Sequence, residues 1–257
     1  MMARSIKPDT SIIVEKHNGC ESIVGFGARD FFVREIDRKT SNEIITRRHY
    51  SGTYHRGSFI HLGIFSKGLN GVIQLGPAMN PASQASVVKG TLQSEYLELN
   101  RMWLADELPR NSESRAISYA FNYVRHRFPK IAWVQSFADE RCGRFGVVYQ
   151  AANFKFCGEH LSTFWELDGE FFHNSLMTRN PKLTPRAAKV QAAKARAIQH
   201  KFRQFRYIFF LRNGFSRRLL KPIKPYPKHA SEGSREIRSV PNRKGRVRIS
   251  DDAPILT

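Results

Sequence analysis

Two spacings of apolar residues run through this chain. Ile117, Ala120, Phe121, Val124 and Phe128 recur at steps of three and four, which predicts a helix from about Ser112 to Phe128 with one buried face, stopped by Pro129. Elsewhere the apolar residues come in short runs, at 11–14, 31–36, 96–104, 131–137, 154–157 and 162–167, and these predict strands. The runs 59–66 and 72–75 flank Lys67-Gly68-Leu69-Asn70-Gly71, a loop whose glycines and asparagine accept positive φ, so a hairpin is expected. Asp168-Gly169 turns 162–167 into a further strand at 170–173. Thr40-Ser41-Asn42-Glu43 has the form of a capping box opening a helix toward Arg48, and a second short helix is expected over 141–151. The small, polar stretch 77–91 reads as a surface loop. Strands and helices interleaved in this order predict an α/β fold around a mixed, partly parallel sheet flanked by helices.

Beyond Arg179 the character changes. Thr184-Pro185 pairs an N-cap with proline at the first helical position, and the Ala-, Lys- and Arg-rich 186–205 predicts a basic helical extension. Tyr207 to Leu211 is apolar enough to dock on the main domain. From Pro222 the chain is dominated by Pro, Lys, Arg, Ser and Gly, so a disordered tail is expected. The expected partition is a catalytic domain over 1–180, the helical extension over 181–221 and the tail over 222–257.

Charge sharpens that partition. Of the net +20, residues 181–257 hold 20 Lys and Arg against 4 Asp and Glu, while residues 1–180 are nearly balanced at 22 against 18. A block so poor in acid repels itself unless it meets a polyanion, and nucleic acid is the leading partner. Lys189, Lys194, Arg196, Lys201, Arg203 and Arg206 are the expected DNA-binding side chains. No stretch approaches the roughly 18 apolar residues that span a bilayer, and the first ten residues do not resemble a signal peptide, so no membrane partner and a cytoplasmic location are expected. Cys20, Cys142 and Cys157 are too few and too scattered for a disulfide framework or structural zinc. An exposed apolar strand edge is either a homodimer seam or covered by Tyr207 to Leu211.

Several side chains carry candidate chemistry, each beside a plainer reading. Arg101 sits in an otherwise apolar strand, so it is either ion-paired with Glu98 or Asp106 or turned toward a polar site where it contacts an oxyanion. Asp139 ends a strand, where sheet sites gather, but also precedes Arg141 as a helix cap would. Tyr149 ends a short helix, where an aromatic is either packing or a proton donor. His49 and Tyr50 follow a helix end, where such a pair reads as structural.

Two resemblances add to this. Tyr149 and Phe154 match the Y-x-x-x-x-F phrase of the GNAT acyltransferase fold, in which a central strand splays from its parallel neighbour and the following helix offers free amides to the pyrophosphate of acyl-coenzyme A. Asn111-Ser112-Glu113-Ser114-Arg115-Ala116 has the spacing of that fold's Q/R-x-x-G-x-G/A signature, with Ser114 replacing glycine and Glu113 adding a charge. As a set, Arg48-His49-Tyr50-Ser51-Gly52, Glu98 to Leu104, Gln135 to Asp139 and Gly146 to Phe154 resemble the phage Mom DNA-modification family over roughly residues 30–230. That resemblance implies a GNAT-like enzyme that adds an acetamido or methylcarbamoyl group to adenine N6 in double-stranded DNA inside the host cell. It implies acetyl-coenzyme A as donor, held at Asn111, Ser112, Ser114 and Arg115, and iron as a cofactor, with His49, Tyr50 and Asp139 as ligands. Tyr149, Asp139, Arg101, His49 and Tyr50 are then the expected catalytic set. A GNAT acetyltransferase acting on a protein or RNA amine is the competing reading, and a non-catalytic DNA-packaging protein is disfavoured by the balanced first 180 residues.

Overall fold

A computed structural model describes residues 12–17, 20–143, 145–178 and 185–228. They pack as two compact units. The first comprises the described residues up to Ser136 together with Val147–Lys155 and Tyr207–Lys224; the second comprises Phe137–Gly146, Phe156–Arg206 and the described residues from Pro225. The borders expected at 180 and 221 do not coincide with these, and most of the expected tail lies outside the described residues.

The first unit is built on a mixed sheet. Strands β1 (Ile12–His17), β2 (Cys20–Ala28), β3 (Phe31–Glu35), β4 (Ile60–Phe65), β5 (Leu69–Gly76) and β6 (Tyr96–Leu104) pair in chain order, each antiparallel to the next. Strand β7 (Trp133–Asp139) then joins β6 in parallel, through Tyr96–Glu98 against Trp133–Gln135. Helix α2 (Ser112–Arg127) makes the parallel crossover between them. Of its predicted face Ile117, Ala120, Phe121 and Val124 lie in the core, and Phe128, at the C-cap, is half-buried. Val33, Leu62, Ile64, Val72, Ile73 and Leu75 are fully enclosed, and near-continuous apolar strands of this kind are what a sheet covered on both faces requires. Helix α1 (Arg38–Arg48) opens earlier than the expected capping box. Asp37 rather than Thr40 is the N-cap, its Oδ1 accepting from Thr40 N at 2.8 Å, because a carboxylate one turn upstream satisfies a free helix amide. That bond holds the exposed Asp37 carboxyl below its ordinary range.

Strand β2 was not anticipated, since its Gly-containing run shows no alternation to announce it. The helix expected over 141–151 is broken: a single helical turn at Glu140–Cys142 is followed by Gly143 and Gly146 at φ 65° and 82°, and only α3 (Val147–Ala151) is α-helical. Gly143 is the left-handed C-cap of that turn and Gly146 stands just before α3, and glycine takes both positions without a Cβ clash.

The second unit departs furthest from expectation. Strand β8 (Lys155–Leu167) is one long strand where two were expected, and it pairs antiparallel with β9 (Glu170–His173). Short helix α4 (Asn174–Thr178) follows. Of the helix expected over 186–205, only α5 (Pro185–Ala192) is α-helical, with a 3-10 turn at Lys194–Arg196, and Ile198–Phe210 is a strand, β10, beside β8. The good helix formers end near Arg196, and from Ile198 the chain is rich in aromatic residues that suit a strand. Phe202 meets Phe164 and Phe171 at 5.8 and 5.6 Å, and Phe205 meets Phe145 and Phe156 at 5.0 and 6.2 Å. Such contacts outweigh helix propensity, which is worth only tenths of a kcal/mol per residue, roughly 0.7 at most for ordinary side chains. Val190 of α5 packs with Leu167 and Phe172 in this unit's own cluster. Tyr207, Ile208 and Leu211, the apolar run expected to dock, are buried within the first unit, where the amides of Leu211 and Arg212 share the Ala132 carbonyl at 2.8 and 3.1 Å.

Candidate active site

In the first unit the parallel ladder between β6 and β7 lasts three residue pairs and stops at Glu98 and Gln135. At the next position the ladder gives way to a side chain, the Ser136 hydroxyl, which donates to the Leu99 carbonyl at 3.3 Å. This parting of parallel neighbours is the feature the acyltransferase resemblance implied. On its other edge, β6 carries a bulge. Gln74 pairs with Arg101 and Leu75 with Leu99, which leaves Asn100 as the extra residue. Bulges re-aim side chains at sites, and this one turns a run of polar residues inward.

Glu98, Asn100, Gln135 and Ser58 are all buried, at 9%, 7%, 2% and 1% exposure. They satisfy one another: Gln135 Nε2 donates to Glu98 Oε2 at 2.9 Å, Asn100 Nδ2 to Glu98 Oε1 at 3.3 Å, and Ser58 Oγ to Asn100 Oδ1 at 2.9 Å. Mutual satisfaction is what makes such a cluster tolerable in a core. A carboxylate held by two amides where a sheet parts was not among the expected site residues. The signal was present, since Glu98 and Asn100 alternate along a strand whose other residues are mostly apolar.

Arg101 resolves its two readings on neither of the expected acids. Its Nε donates to the Thr53 carbonyl at 2.9 Å and one Nη1 hydrogen to the Asn100 carbonyl at 2.6 Å. A guanidinium has five N–H donors, so three remain without a protein acceptor among the described residues. The two bonds tie the loop after α1 to the bulge of β6 and fix the orientation of the charge.

That charge acts on the histidines of the same loop. Burial first, and then the Arg101 charge, push the His49 pKa down to about 3 and also lower that of His55. His49 is therefore neutral, and its Nδ1 accepts from the Ser51 amide at 3.1 Å, which leaves the proton on Nε2. The Tyr50 ring lies against the His49 ring at 4.3 Å and is 63% exposed. With Nδ1 taken by a backbone amide and a guanidinium alongside, His49 and Tyr50 form a poor cation site. Among the described residues no three His, Cys, Asp or Glu side chains lie close enough to hold a metal ion. The expected iron set does not fit.

Tyr149, in the middle of α3 rather than at its end, packs within the first unit, its ring 5.3 Å from both Phe154 and Tyr207, and the neighbouring Gln150 donates to the Tyr207 hydroxyl at 3.1 Å. Asp139 belongs to the second unit. Both its oxygens accept from Arg141 Nε at 3.0 Å, Oδ1 also accepts from the Arg141 amide, and Arg141 lies 3.8 Å over the Phe164 ring. The cap reading of Asp139 is thus realised in the geometry.

At the start of α2 the backbone amides are in two conditions. The amides of Ser112 and Arg115 are bonded to Pro109 and Asn111, whereas those of Glu113 and Ser114 meet no protein acceptor among the described residues. The hydroxyls of Ser112 and Ser114 turn back to the Pro109 and Asn111 carbonyls at 2.6 and 3.0 Å. Arg115 points elsewhere, stacking 4.8 Å from Phe31 and pairing with Asp30 at 3.6 Å.

Most of the expected DNA-binding side chains have internal engagements. Glu140 takes the Arg203 Nε and amide at 2.8 and 2.7 Å, Arg196 lies 3.7 Å from Asp168, Lys194 lies over Trp165 and Arg206 over Phe137. Lys189 and Lys201 are exposed, with no ion-pair partner among the described residues.

The family model for the Mom protein family matches residues 30–228. The chain belongs to the Mom protein family. A curated Mom relative, the methylcarbamoylase of Escherichia phage Mu, is 50% identical over 210 residues, spanning 80% of this chain and 87% of the relative. Among solved structures, Arabidopsis thaliana NAA60 in complex with acetyl-CoA is 11% identical with a TM-score of 0.44, over 70% of this chain and 99% of that one. The ribosomal L7/L12 α-N-protein acetyltransferase RimL is 10% identical with a TM-score of 0.40, over 72% and 95%.

Proposed function

We propose that this protein is a DNA-modifying transferase that places a methylcarbamoyl group, also described as acetamido, on the exocyclic N6 of adenine in double-stranded DNA. The observation that carries this reading is the 50% identity to a methylcarbamoylase across four-fifths of the chain. Altering N6 removes a major-groove donor by which A·T pairs are read, so modified phage DNA escapes host restriction enzymes. The work is done in the host cytoplasm. Reaching N6 in a duplex requires the base to be displaced from the stack.

Acetyl-coenzyme A is the donor class. The free amides of Glu113 and Ser114 would face its pyrophosphate, with Asn111, Ser112 and Arg115 shaping the turn. When bound, the coenzyme would supply an activated two-carbon acyl unit, its thiol leaving; an acetyl group has no nitrogen, so the amide nitrogen of the transferred group requires a second, nitrogen-bearing donor. Arg101 is the residue that meets developing negative charge, because three of its donors are unused and its geometry is held by two carbonyls. Neutral His49 and His55 keep positive charge in the site on that one group. Tyr149 is the proton donor of the reading, Asp139 positions Arg141, and Lys189 and Lys201 add attraction for DNA.

The test is mass spectrometry of nucleosides from host DNA after expression of the wild type and of Tyr149→Phe and Arg101→Lys. A heavier deoxyadenosine found with the wild type and lost with both variants is expected. No new nucleoside, with an acetylated lysine or N-terminus in its place, would overturn the DNA reading in favour of a protein acetyltransferase.

A further inference from the structure

The first unit carries a groove of about 550 Å³ along α1, lined by Arg38, Lys39, Asn42, Glu43, Arg47 and Tyr54 among others. Three of these are exposed cations, and among the described residues none of them has a carboxylate within ion-pair distance. Their placement is unusual. Arg38 and Lys39 occupy the first turn of α1, which holds no acidic residue, so they oppose the positive end of the helix dipole. Cations there destabilise the free helix. The Asp37 carboxylate at the N-cap offsets part of that cost, and an anion from outside would offset the rest. Arg38 is further fixed by donating to the Arg56 carbonyl, so its head is held over the groove rather than spread into solvent. Glu43, the one acid in the lining, stands one helical turn from both Lys39 and Arg47 and pairs with neither. By contrast two of the three cations of β10, Arg203 and Arg206, are engaged internally.

We infer that this face of α1 grips the phosphate backbone of double-stranded DNA and is a principal duplex-binding surface of the protein. From Arg38 to Arg47 the helix rises about 14 Å at 1.5 Å per residue. That spans roughly four phosphates of one strand at 3.4 Å of axial rise each. Three cations along this length fit a strand running beside the helix, with Tyr54 on the groove wall. The inference deepens the DNA reading above and rests on it for the identity of the polyanion.

The experiment is fluorescence anisotropy of a labelled 20-base-pair duplex with the full chain, titrated between about 50 and 200 mM salt. The variant Arg38→Gln/Lys39→Gln/Arg47→Gln is expected to bind at least tenfold more weakly at the low end. Its log–log salt slope should be shallower by roughly 2 to 3, at ~0.9 for each phosphate that is no longer neutralised. Glu43→Gln should bind severalfold more tightly. Single variants Lys39→Gln and Arg47→Gln carry the same test if the triple variant melts early. Wild-type affinity and slope in the triple variant would overturn the inference, as would intact DNA binding with loss of binding to phosphatidylserine vesicles, which would mark a lipid surface. The nucleoside assay separates the two claims: altered duplex binding without modified adenine sinks the enzymatic reading alone.

Discussion

Helix α1 and strand β10 are both rich in arginine and lysine, yet their charges are in opposite conditions. On β10 and its neighbours the cations are held: Arg203 by Glu140, Arg206 by the Phe137 ring, and Arg196 by Asp168. On α1, Arg38, Lys39 and Arg47 are exposed beside a groove with no carboxylate partner among the described residues. Local charge density would point to the second region, since no acid occurs between Glu170 and Glu232. Pairing reverses the ranking. An acid remote in sequence, such as Glu140, neutralises a basic segment as well as a neighbouring one does, and only an unpaired cation has its full attraction left for phosphate.

The largest expected effect tests this contrast directly. Reversing two α1 charges, as Arg38→Glu/Arg47→Glu, should abolish detectable duplex binding at about 200 mM salt, because two attractions to phosphate are removed and two repulsions take their place. Anisotropy reads it, and retained binding would return the DNA surface to the C-terminal segment.

Next in size is the effect of the first unit's charge on its own histidines. His49 is held neutral by burial and by Arg101, with a pKa of about 3 against about 6.5 in the unfolded chain. Its folded pKa is the lower one, so the unfolded state binds more protons. The stability tied to neutral His49 is complete above about pH 6.5 and is lost as pH falls toward 3, on the order of 3 kcal/mol by pH 4. His49→Asn keeps an acceptor for the Ser51 amide and removes the titration. Urea melts across pH 7 to 4 should show a flatter stability profile in the variant, and identical profiles would mean the ring titrates alike in the folded and unfolded chain.

A smaller effect is expected at Glu140. Burial raises its pKa, but the Arg203 hydrogen bonds and charge prevail and hold it below the ordinary carboxylate range, while Arg203 is raised in turn. Glu140→Gln should cost about 1 to 2 kcal/mol of stability, by the usual worth of a charged hydrogen bond. It should also free Arg203 and strengthen duplex binding about twofold. Unchanged stability would show that the pair is idle. The smallest effect is Lys189→Gln/Lys201→Gln, for which a two- to threefold loss of duplex affinity is expected, since these lysines are exposed but peripheral; a tenfold loss would reverse the ranking of the two regions.

Much of this molecule was legible in its residues. Strand β6 and helix α2 lie almost where the apolar pattern puts them, because their burial periodicity is local and strong. The phrases around Arg48, Glu98, Gln135 and Tyr149 carried the family, and the mixed sheet with flanking helices followed from element order. Local pattern did not reveal that 198–210 is a strand, that Asp139 is locked by Arg141, or that Arg101 rests on peptide carbonyls rather than on an acid. Each of those outcomes depends on a partner brought close by folding: aromatic rings from β8 and β9 for β10, a guanidinium turned back on its strand end, and a loop folded over a bulge. Intrinsic propensity is worth tenths of a kcal/mol, whereas a buried charge or aromatic face demands a specific neighbour. The residues of this chain determined its family and which groups could do chemistry, and the tertiary structure decided which charges are already neutralised and which are left without a carboxylate partner.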